Sequence, residues 1–296
     1  MAETTRLLGW GDGVNQVGLL PRATEQLAQG PAAVAVGPDG AAFVLDRRNG
    51  RVLRLDGNDV SVAAAVPVDA EDLAVSAAPG EALLAAYSPL RARVWLRDAG
   101  KPAGEVAVPR VLRLTRGIVL GASRQVLVHN AHQETYRLGS PSTPRLLASV
   151  LHSKREGACF LADGSGVAVR RRSDQRAELL VLGQGERAPV KRSFVLPDTV
   201  MAARIVGTAD GVVCLRLEKA GPAAGGQVDV LREAVCLNAD SGAEVFRRAL
   251  PAPGVFLPRR ELALGGSPAR LAFIHAEAGG LRVHLWTLRV GKGVAR

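Results

Sequence analysis

The chain has 296 residues, of which 47% are hydrophobic and 22% charged, and this composition excludes an intrinsically disordered chain. No apolar run is long enough for a transmembrane helix, so we expect no membrane insertion. The first nine residues lack the apolar core of a secretory signal, which as written predicts a cytoplasmic location; a removed signal would instead imply a periplasmic or secreted protein. The formal net charge of +10 favours anionic partners.

The three cysteines lie in apolar, strand-like runs without a CxxC motif or metal-ligand spacing. Free thiols are therefore expected at Cys159, Cys214 and Cys236. Cys214 and Cys236 should be neighbours on adjacent strands. We expect them to remain unbonded, because a bridge between directly paired strands needs unusual geometry.

The first predicted elements are a strand at about residues 5–10, a long loop over 11–30, and a regular segment over 31–56. In that segment, Pro38-Asp39-Gly40 predicts a tight turn, because proline presets φ and glycine accepts positive φ. Asn49-Gly50 predicts a hairpin turn between two alternating runs. Residues 31–56 therefore read as strand, turn, strand, turn, strand.

This segment resembles an NHL repeat through Pro31, Asp39-Gly40, Asp46, Asn49 and Arg51-Val52. The pattern of that family is a proline, an apolar strand, Asp-Gly, a second strand ending in Asp, and then Asn-x-Arg-Val. The resemblance implies a β-propeller. It also implies a face that binds proteins or single-stranded RNA, although some relatives of the family are lyases or lactonases.

Further first turns recur at intervals of mostly 40–56 residues, which is the period of a four-stranded blade. They lie at Pro79-Gly80, Ala122-Ser123, Asp163-Gly164, Asp210-Gly211 and Gly266-Ser267. The last predicted strand, over 281–290, has no fourth strand after it, and the strand at 5–10 has no blade before it. Pairing them would remove two free sheet edges. The sequence thus predicts one domain, residues 1–296, that is an all-β, six-bladed propeller of four-stranded antiparallel blades, closed by the N-terminal strand.

Basic residues concentrate in the loops that join strands two and three of each blade and in the connections between blades. Both kinds of loop lie on one side of a propeller, here called the upper face. The lower-face turns carry more aspartate, and this asymmetry would steer anions to the upper face. In blade four, Asp174 is expected to neutralise only one arginine of the local cluster. The candidate partner-binding residues are Arg47, Arg48, Arg91, Arg93, Lys154, Arg155, Arg170, Arg171, Arg172 and Arg176.

Two histidines across a turn, His129 and His132, are weak candidate metal ligands, and no third ligand accompanies them. The residues that end the second strand of each blade do not form a ring of like ligands. No catalytic residues, metal or cofactor are therefore expected. Aromatic residues make up only 4% of the chain, which disfavours RNA recognition by base stacking.

The sequence favours a non-catalytic binding or scaffolding module that uses its basic upper face to bind a partner protein or an acidic polymer. We expect a monomer or a subunit of a hetero-complex. The alternatives are a metal-dependent lyase or lactonase-like hydrolase on the same fold, and an RNA or polysaccharide binder.

Overall fold

The computed structural model describes residues 2–23, 27–76, 78, 80–112, 115–121, 124–130, 134–144, 155–161, 163–173, 176–184, 189–196, 200–224 and 227–289. They form six antiparallel sheets of four main strands each, which confirms the predicted six-bladed β-propeller. No helix among these residues is long and apolar enough to cross a membrane.

Strands are numbered in chain order, and the first strand of each blade lies nearest the central channel. Two short 3-10 turns, Arg47–Asn49 and Arg110–Leu112, are the helical elements of the described residues. The chain begins with β1 (Ala2–Trp10) and β2 (Gln16–Val17), and blade one follows with β3 (Ala33–Val36), β4 (Ala42–Asp46), β5 (Arg51–Asp56) and β6 (Asp59–Ala65). Blade two contains β7 (Asp72–Val75), β8 (Leu83–Ser88), β9 (Arg93–Asp98) and β10 (Lys101–Ala107). Blade three contains β11 (Thr115–Leu120), β12 (Val126–Asn130), β13 (Glu134–Ser140), β14 (Thr143–Pro144) and β15 (Arg155–Glu156).

Blades four to six follow in the second half. Blade four contains β16 (Cys159–Phe160), β17 (Gly166–Ser173), β18 (Arg176–Leu182) and β19 (Val190–Val195). Blade five contains β20 (Ala202–Ala209), β21 (Val212–Ala224), β22 (Gln227–Asn238) and β23 (Glu244–Leu250). Blade six contains β24 (Leu262–Gly265), β25 (Arg270–Glu277) and β26 (Gly280–Thr287).

The N-terminal strand completes blade six, as predicted. Strand β1 runs antiparallel to β26, from the pair Ala2–Thr287 to the pair Gly9–Gly280. Within the predicted long loop over 11–30, β2 pairs with the end of β1 in parallel, and a bridge joins Leu20 to Gln29.

The residues that carry the repeat pattern in blade one have a structural role. The buried Asp46 carboxylate accepts hydrogen bonds from the Asn49 side-chain amide at 2.8 Å and the Arg51 Nε at 3.0 Å. It also accepts one from the Gly18 backbone amide at 2.9 Å. Gly50 adopts a φ of 62°, the left-handed conformation that glycine tolerates best. The Asp-x-x-Asn-x-Arg spacing therefore fixes the turn between strands two and three.

The core is divided among the interfaces between blades, because each sheet presents apolar side chains on both faces. Between blades five and six, for example, Cys214, Phe246, Phe273 and Trp286 pack together. Such packing on both faces explains why the strands read as nearly continuous apolar runs.

Cys214 and Cys236 lie opposite each other on β21 and β22, as predicted, but their sulfur atoms are bonded. The prediction that both remain thiols is therefore wrong. Directly opposed residues of antiparallel strands project to the same face, which brings the two sulfur atoms together. Here the two Cα atoms are 3.9 Å apart. Cys159 is a free thiol.

Candidate binding site

A cavity of about 950 Å³ opens at the upper mouth of the central channel and is lined by residues of blades three to six. Among the described residues, its lining contains six arginines and one carboxylate, that of Glu261. The arginines are Arg116, Arg171, Arg204, Arg216, Arg259 and Arg260.

The cavity extends outward into blade four because the first strand of that blade is very short. Strand β16 pairs only Cys159 with Val167 and Phe160 with Gly166. Farther along β17, Val169 and Arg171 line the cavity instead of packing beneath a first strand. Burial raises the pKa of the Cys159 thiol, which also lines the cavity, to about 12, so this thiol stays protonated at neutral pH.

Arg260 reaches across the channel from the connection between blades five and six. Its backbone forms a bridge with Ala33 of blade one, while its guanidinium donates to the Asp72 carboxylate at 2.7 Å. The guanidinium also donates to the carbonyl oxygens of Leu73 at 2.8 Å and Ile118 at 3.1 Å. One side chain thereby joins the first strands of blades two and three.

Arg259 makes a parallel set of contacts. Its guanidinium donates to Glu71 and to the Thr115 carbonyl oxygen, both at 2.8 Å, and lies 5.9 Å from the centre of the Tyr87 ring. Arg259 and Arg260 are therefore held mainly by contacts with blades two and three, which leaves them little freedom to follow a ligand.

Asp72 is fully buried at the first strand of blade two. Besides Arg260, its carboxylate accepts a hydrogen bond from the Ile118 amide at 2.8 Å. Burial raises the pKa of Asp72, and the neighbouring Arg260 and Arg259 oppose that rise. The ion pair thus exists against a strong desolvation penalty.

His129, one of the two predicted metal candidates, lies in the cavity wall against Gly117, where a Cβ would be 2.4 Å from the imidazole ring. Burial, together with Arg260 and Arg259, lowers the pKa of His129 to about 3, so its imidazole is neutral. His132 lies outside the described residues. Within the described ranges, no group of three histidine, cysteine, aspartate or glutamate side chains could hold a metal ion.

Glu261 is already neutralised by other arginines of blade five. Arg232 donates to both Glu261 carboxylate oxygens at 2.9 Å, and Arg216 Nε lies 3.2 Å from one of them. In contrast, Arg116 and Arg204 are exposed and have no ion-pair partner among the residues that the structure describes. These two arginines supply positive charge that the cavity itself does not balance.

Most of the predicted partner-binding arginines lie at the rim and are paired with carboxylates. Arg91 donates to Asp69 at 2.7 Å, Arg93 pairs with Glu105, and Arg47 donates to Gln29 at 2.8 Å and lies 3.8 Å from Glu71. Arg48 packs its aliphatic stem beside Gly18. These contacts reduce the positive charge that the rim presents to a partner.

The arginine cluster of blade four is divided between the two faces of its sheet, as strand alternation predicts. Arg171 faces the cavity, whereas Arg170 and Arg172 share Glu178, each at 2.9 Å. Arg176 is exposed. Lys154 and Asp174 lie outside the described residues, and Arg155 belongs to β15, where its backbone pairs with Thr135.

Acidic turns of the lower face are paired in a similar way. Asp39 and Asp56 both accept from Arg54 at 2.8 Å, Asp98 pairs with Arg124, and Asp240 pairs with Arg192. The charge difference between the two faces is therefore smaller at their edges than the sequence suggests.

Sequence reasoning did not single out Arg116 or Arg204, which lie on the first strands of blades three and five. The available signal was a charged residue inside an otherwise apolar strand, as in Thr115-Arg-Gly-Ile-Val-Leu120. Both arginines lie on strands and not in the upper-face loops, where the sequence places the candidate partner-binding arginines.

No family model matches the sequence, and no curated protein matches it significantly. Solved structures with a similar fold include hydrazine synthase of Kuenenia stuttgartiensis, with a TM-score of 0.51, 14% identity and coverage of 86% of this chain and 80% of that one. A PQQ-bound aldose sugar dehydrogenase of Streptomyces coelicolor has a TM-score of 0.50, 13% identity and coverage of 97% and 99%. An inactive virginiamycin B lyase of Staphylococcus aureus with quinupristin has a TM-score of 0.50, 10% identity and coverage of 96% and 100%. At these identities, the likeness is one of fold alone: the chain is a six-bladed β-propeller.

Proposed function

We propose that the chain is a non-catalytic binding module that holds an acidic partner protein at the upper mouth of its central channel. The observation that carries this proposal is that Arg116 and Arg204 line the cavity with no ion-pair partner among the described residues. Clefts lined by one sign of charge between low-dielectric walls focus the electric field and attract ligands of opposite charge.

Arg116 and Arg204 are the groups that we expect to bind the partner directly. Neither has an ion-pair partner among the described residues, so a carboxylate could approach either without breaking an existing pair. Arg259 and Arg260 contribute less net positive charge, because each is already paired with a carboxylate, Glu71 for Arg259 and Asp72 for Arg260.

The chemistry of the cavity favours a protein over RNA. Its lining contains no phenylalanine, tyrosine or tryptophan among the residues that the structure describes. Single-stranded nucleic acids are held largely by base stacking on such side chains, in addition to charge. Carboxylates need only the arginines, which can bind them in a bidentate manner.

Poly-L-glutamate labelled with a fluorophore is a suitable first probe. At about 50 mM salt, where exposed charges are weakly screened, we expect the double variant Arg116→Ala/Arg204→Ala to bind it about tenfold more weakly than the wild type. The affinity of the variant should also depend less steeply on salt. The matched control is Arg124→Ala/Arg192→Ala, which removes two arginines from the lower face and should change the affinity by less than about twofold.

Equal affinity of the wild type and the Arg116→Ala/Arg204→Ala variant would refute the proposal. Heparin and polyuridylate provide the comparison with acidic polymers. If either binds more tightly than poly-L-glutamate at matched charge, the partner is a polymer and the protein-partner proposal is wrong.

A further inference from the structure

Blade five carries a hairpin that is longer than those of the other blades. Its strands β21 and β22 contain 13 and 12 residues, whereas the middle strands of the other blades contain five to eight. The extra length lies at the upper end, because the lower end turns at Val212 and Asn238.

The upper part of this hairpin has no neighbouring strand within the described residues. Pairing with β20 starts at Ala202–Glu218, and pairing with β23 ends at Arg232–Leu250. Beyond those pairs, residues 219–224 pair only with residues 227–231. We call this two-stranded extension the hairpin arm. Isolated two-stranded ribbons are marginally stable in water, so an arm of this kind gains most from a partner that covers it.

An exposed apolar row crosses the base of the hairpin arm. Leu231 is opposite Lys219 and is 49% exposed. Met201 is 43% exposed and lies at the same level of the sheet, because its backbone amide donates to the Glu218 carbonyl oxygen at 2.7 Å. The Lys219 side chain lies between them and directs its ammonium group to Glu233 at 2.7 Å. The Lys219 side chain is 18% exposed, so its aliphatic stem adds a small area to the apolar surface.

The apolar row is continuous with the arginine-lined cavity. Met201 itself lines the cavity, and Arg204 follows three residues later along the chain. At the rise of an extended strand, three residues span about 10 Å. A bound segment in extended conformation could thus place an apolar side chain on the row and a carboxylate near Arg204.

We propose that this row, formed by Met201, the Lys219 stem and Leu231, is the docking surface for apolar side chains of an extended acidic segment of the partner protein. The inference rests on the proposed function, which supplies the charge complementarity. The arginines provide attraction, and the row provides selection for segments that combine glutamate or aspartate with leucine-like residues. Methionine suits such a surface, because its flexible side chain adapts to different apolar partners.

Two charge-matched peptides separate these contributions. One contains four Glu-Glu-Leu repeats and the other four Glu-Glu-Ser repeats, and both are titrated by fluorescence anisotropy. We expect wild-type protein to bind the leucine peptide about tenfold more tightly, since partial burial of apolar side chains is sufficient for such a difference. The variant Met201→Ser/Leu231→Ser should lose this preference and retain its affinity for the serine peptide.

The matched control is Val68→Ser/Leu90→Ser, which changes two exposed apolar residues of the upper face at blades one and two. It should keep the preference for leucine. The single variant Leu231→Ser, with unchanged circular dichroism, guards against loss of folding and should lose part of the preference. Equal binding of both peptides by wild type, or a preference that survives Met201→Ser/Leu231→Ser, would overturn the inference. Failure of the proposed function differs, because Arg116→Ala/Arg204→Ala would then leave the binding of both peptides unchanged.

Discussion

Arg260 donates to the Asp72 carboxylate at 2.7 Å, although the two residues are 188 positions apart in the sequence. The pair joins the connection between blades five and six to the first strand of blade two across the channel. It therefore contributes to the integrity of the ring.

Replacing Arg260 with methionine should destabilise the protein by about 3 kcal/mol at pH 8, because it leaves the buried Asp72 carboxylate without its counter-charge. The loss should become smaller on acidification. Burial already raises the pKa of Asp72, and removing the arginine raises it further, so the folded state favours protonated Asp72 and loses stability as the pH increases. Urea unfolding between pH 5 and pH 8 measures this trend.

The control Arg124→Met breaks an exposed pair with Asp98 and should lower the free energy of unfolding by less than about 1 kcal/mol at every pH. A loss for Arg260→Met that does not vary with pH would contradict the prediction.

His129 should make the protein sensitive to acid. Its pKa is lowered to about 3 by burial and by the two nearby arginines, whereas an unfolded histidine titrates near 6.5. At a pH between these two pKa values, the histidine binds a proton in the unfolded state but not in the folded state. The free energy of unfolding therefore falls as the pH decreases from about 6.5, by up to about 1.4 kcal/mol per pH unit. In His129→Gln this contribution disappears. Chemical unfolding at pH 7 and pH 5 tests it, and an unchanged difference between the two pH values in the variant would argue against a buried neutral imidazole.

The disulfide between Cys214 and Cys236 predicts one titratable thiol per chain instead of three. In denaturant without reductant, a thiol assay should detect only Cys159, and in the native protein Cys159 should react slowly because its pKa is about 12. Reduction should lower the free energy of unfolding by about 3 kcal/mol, the entropic estimate for a loop of this length. Finding three thiols in denatured protein purified without reductant would show that the bond does not form.

We expect purified protein to contain less than stoichiometric zinc or calcium. Among the described residues, His129 is the histidine that lines the cavity, and metal sites in proteins require three or more suitable ligands. Metal analysis by mass spectrometry after dialysis, without chelator, is the test. A stoichiometric ion would favour the alternative of a metal-dependent lyase or hydrolase on this fold, and His129→Gln would then show whether this residue binds it.

The blades were predictable from sequence because each depends on contacts that are local in the chain. Turns such as Asp39-Gly40 and Asp210-Gly211 join adjacent strands, and their residue types report the backbone conformation directly. Closure of the ring by β1 was also predictable, since pairing the unpaired strands near the two termini removes two free sheet edges.

The cavity was not predictable, because it depends on contacts that are distant in the chain. Nothing in the local sequence indicates that Arg259 reaches Glu71, or that Glu178 neutralises both Arg170 and Arg172. The basic loops therefore appeared more positive than they are. The inward-facing Arg116 and Arg204 were overlooked, since the depth of the cavity depends on the short strand β16 of blade four.

The pairing of β1 with β26 has a mechanical consequence. Ala2 pairs with Thr287, so the start of β1 and the end of β26 lie at the same end of this strand pair. A pulling force applied to the start of β1 and the end of β26 would load the hydrogen bonds between the two strands one after another and not all together. The ring should therefore open by unzipping at low force, starting from the Ala2–Thr287 pair, while the blades that lie between remain folded.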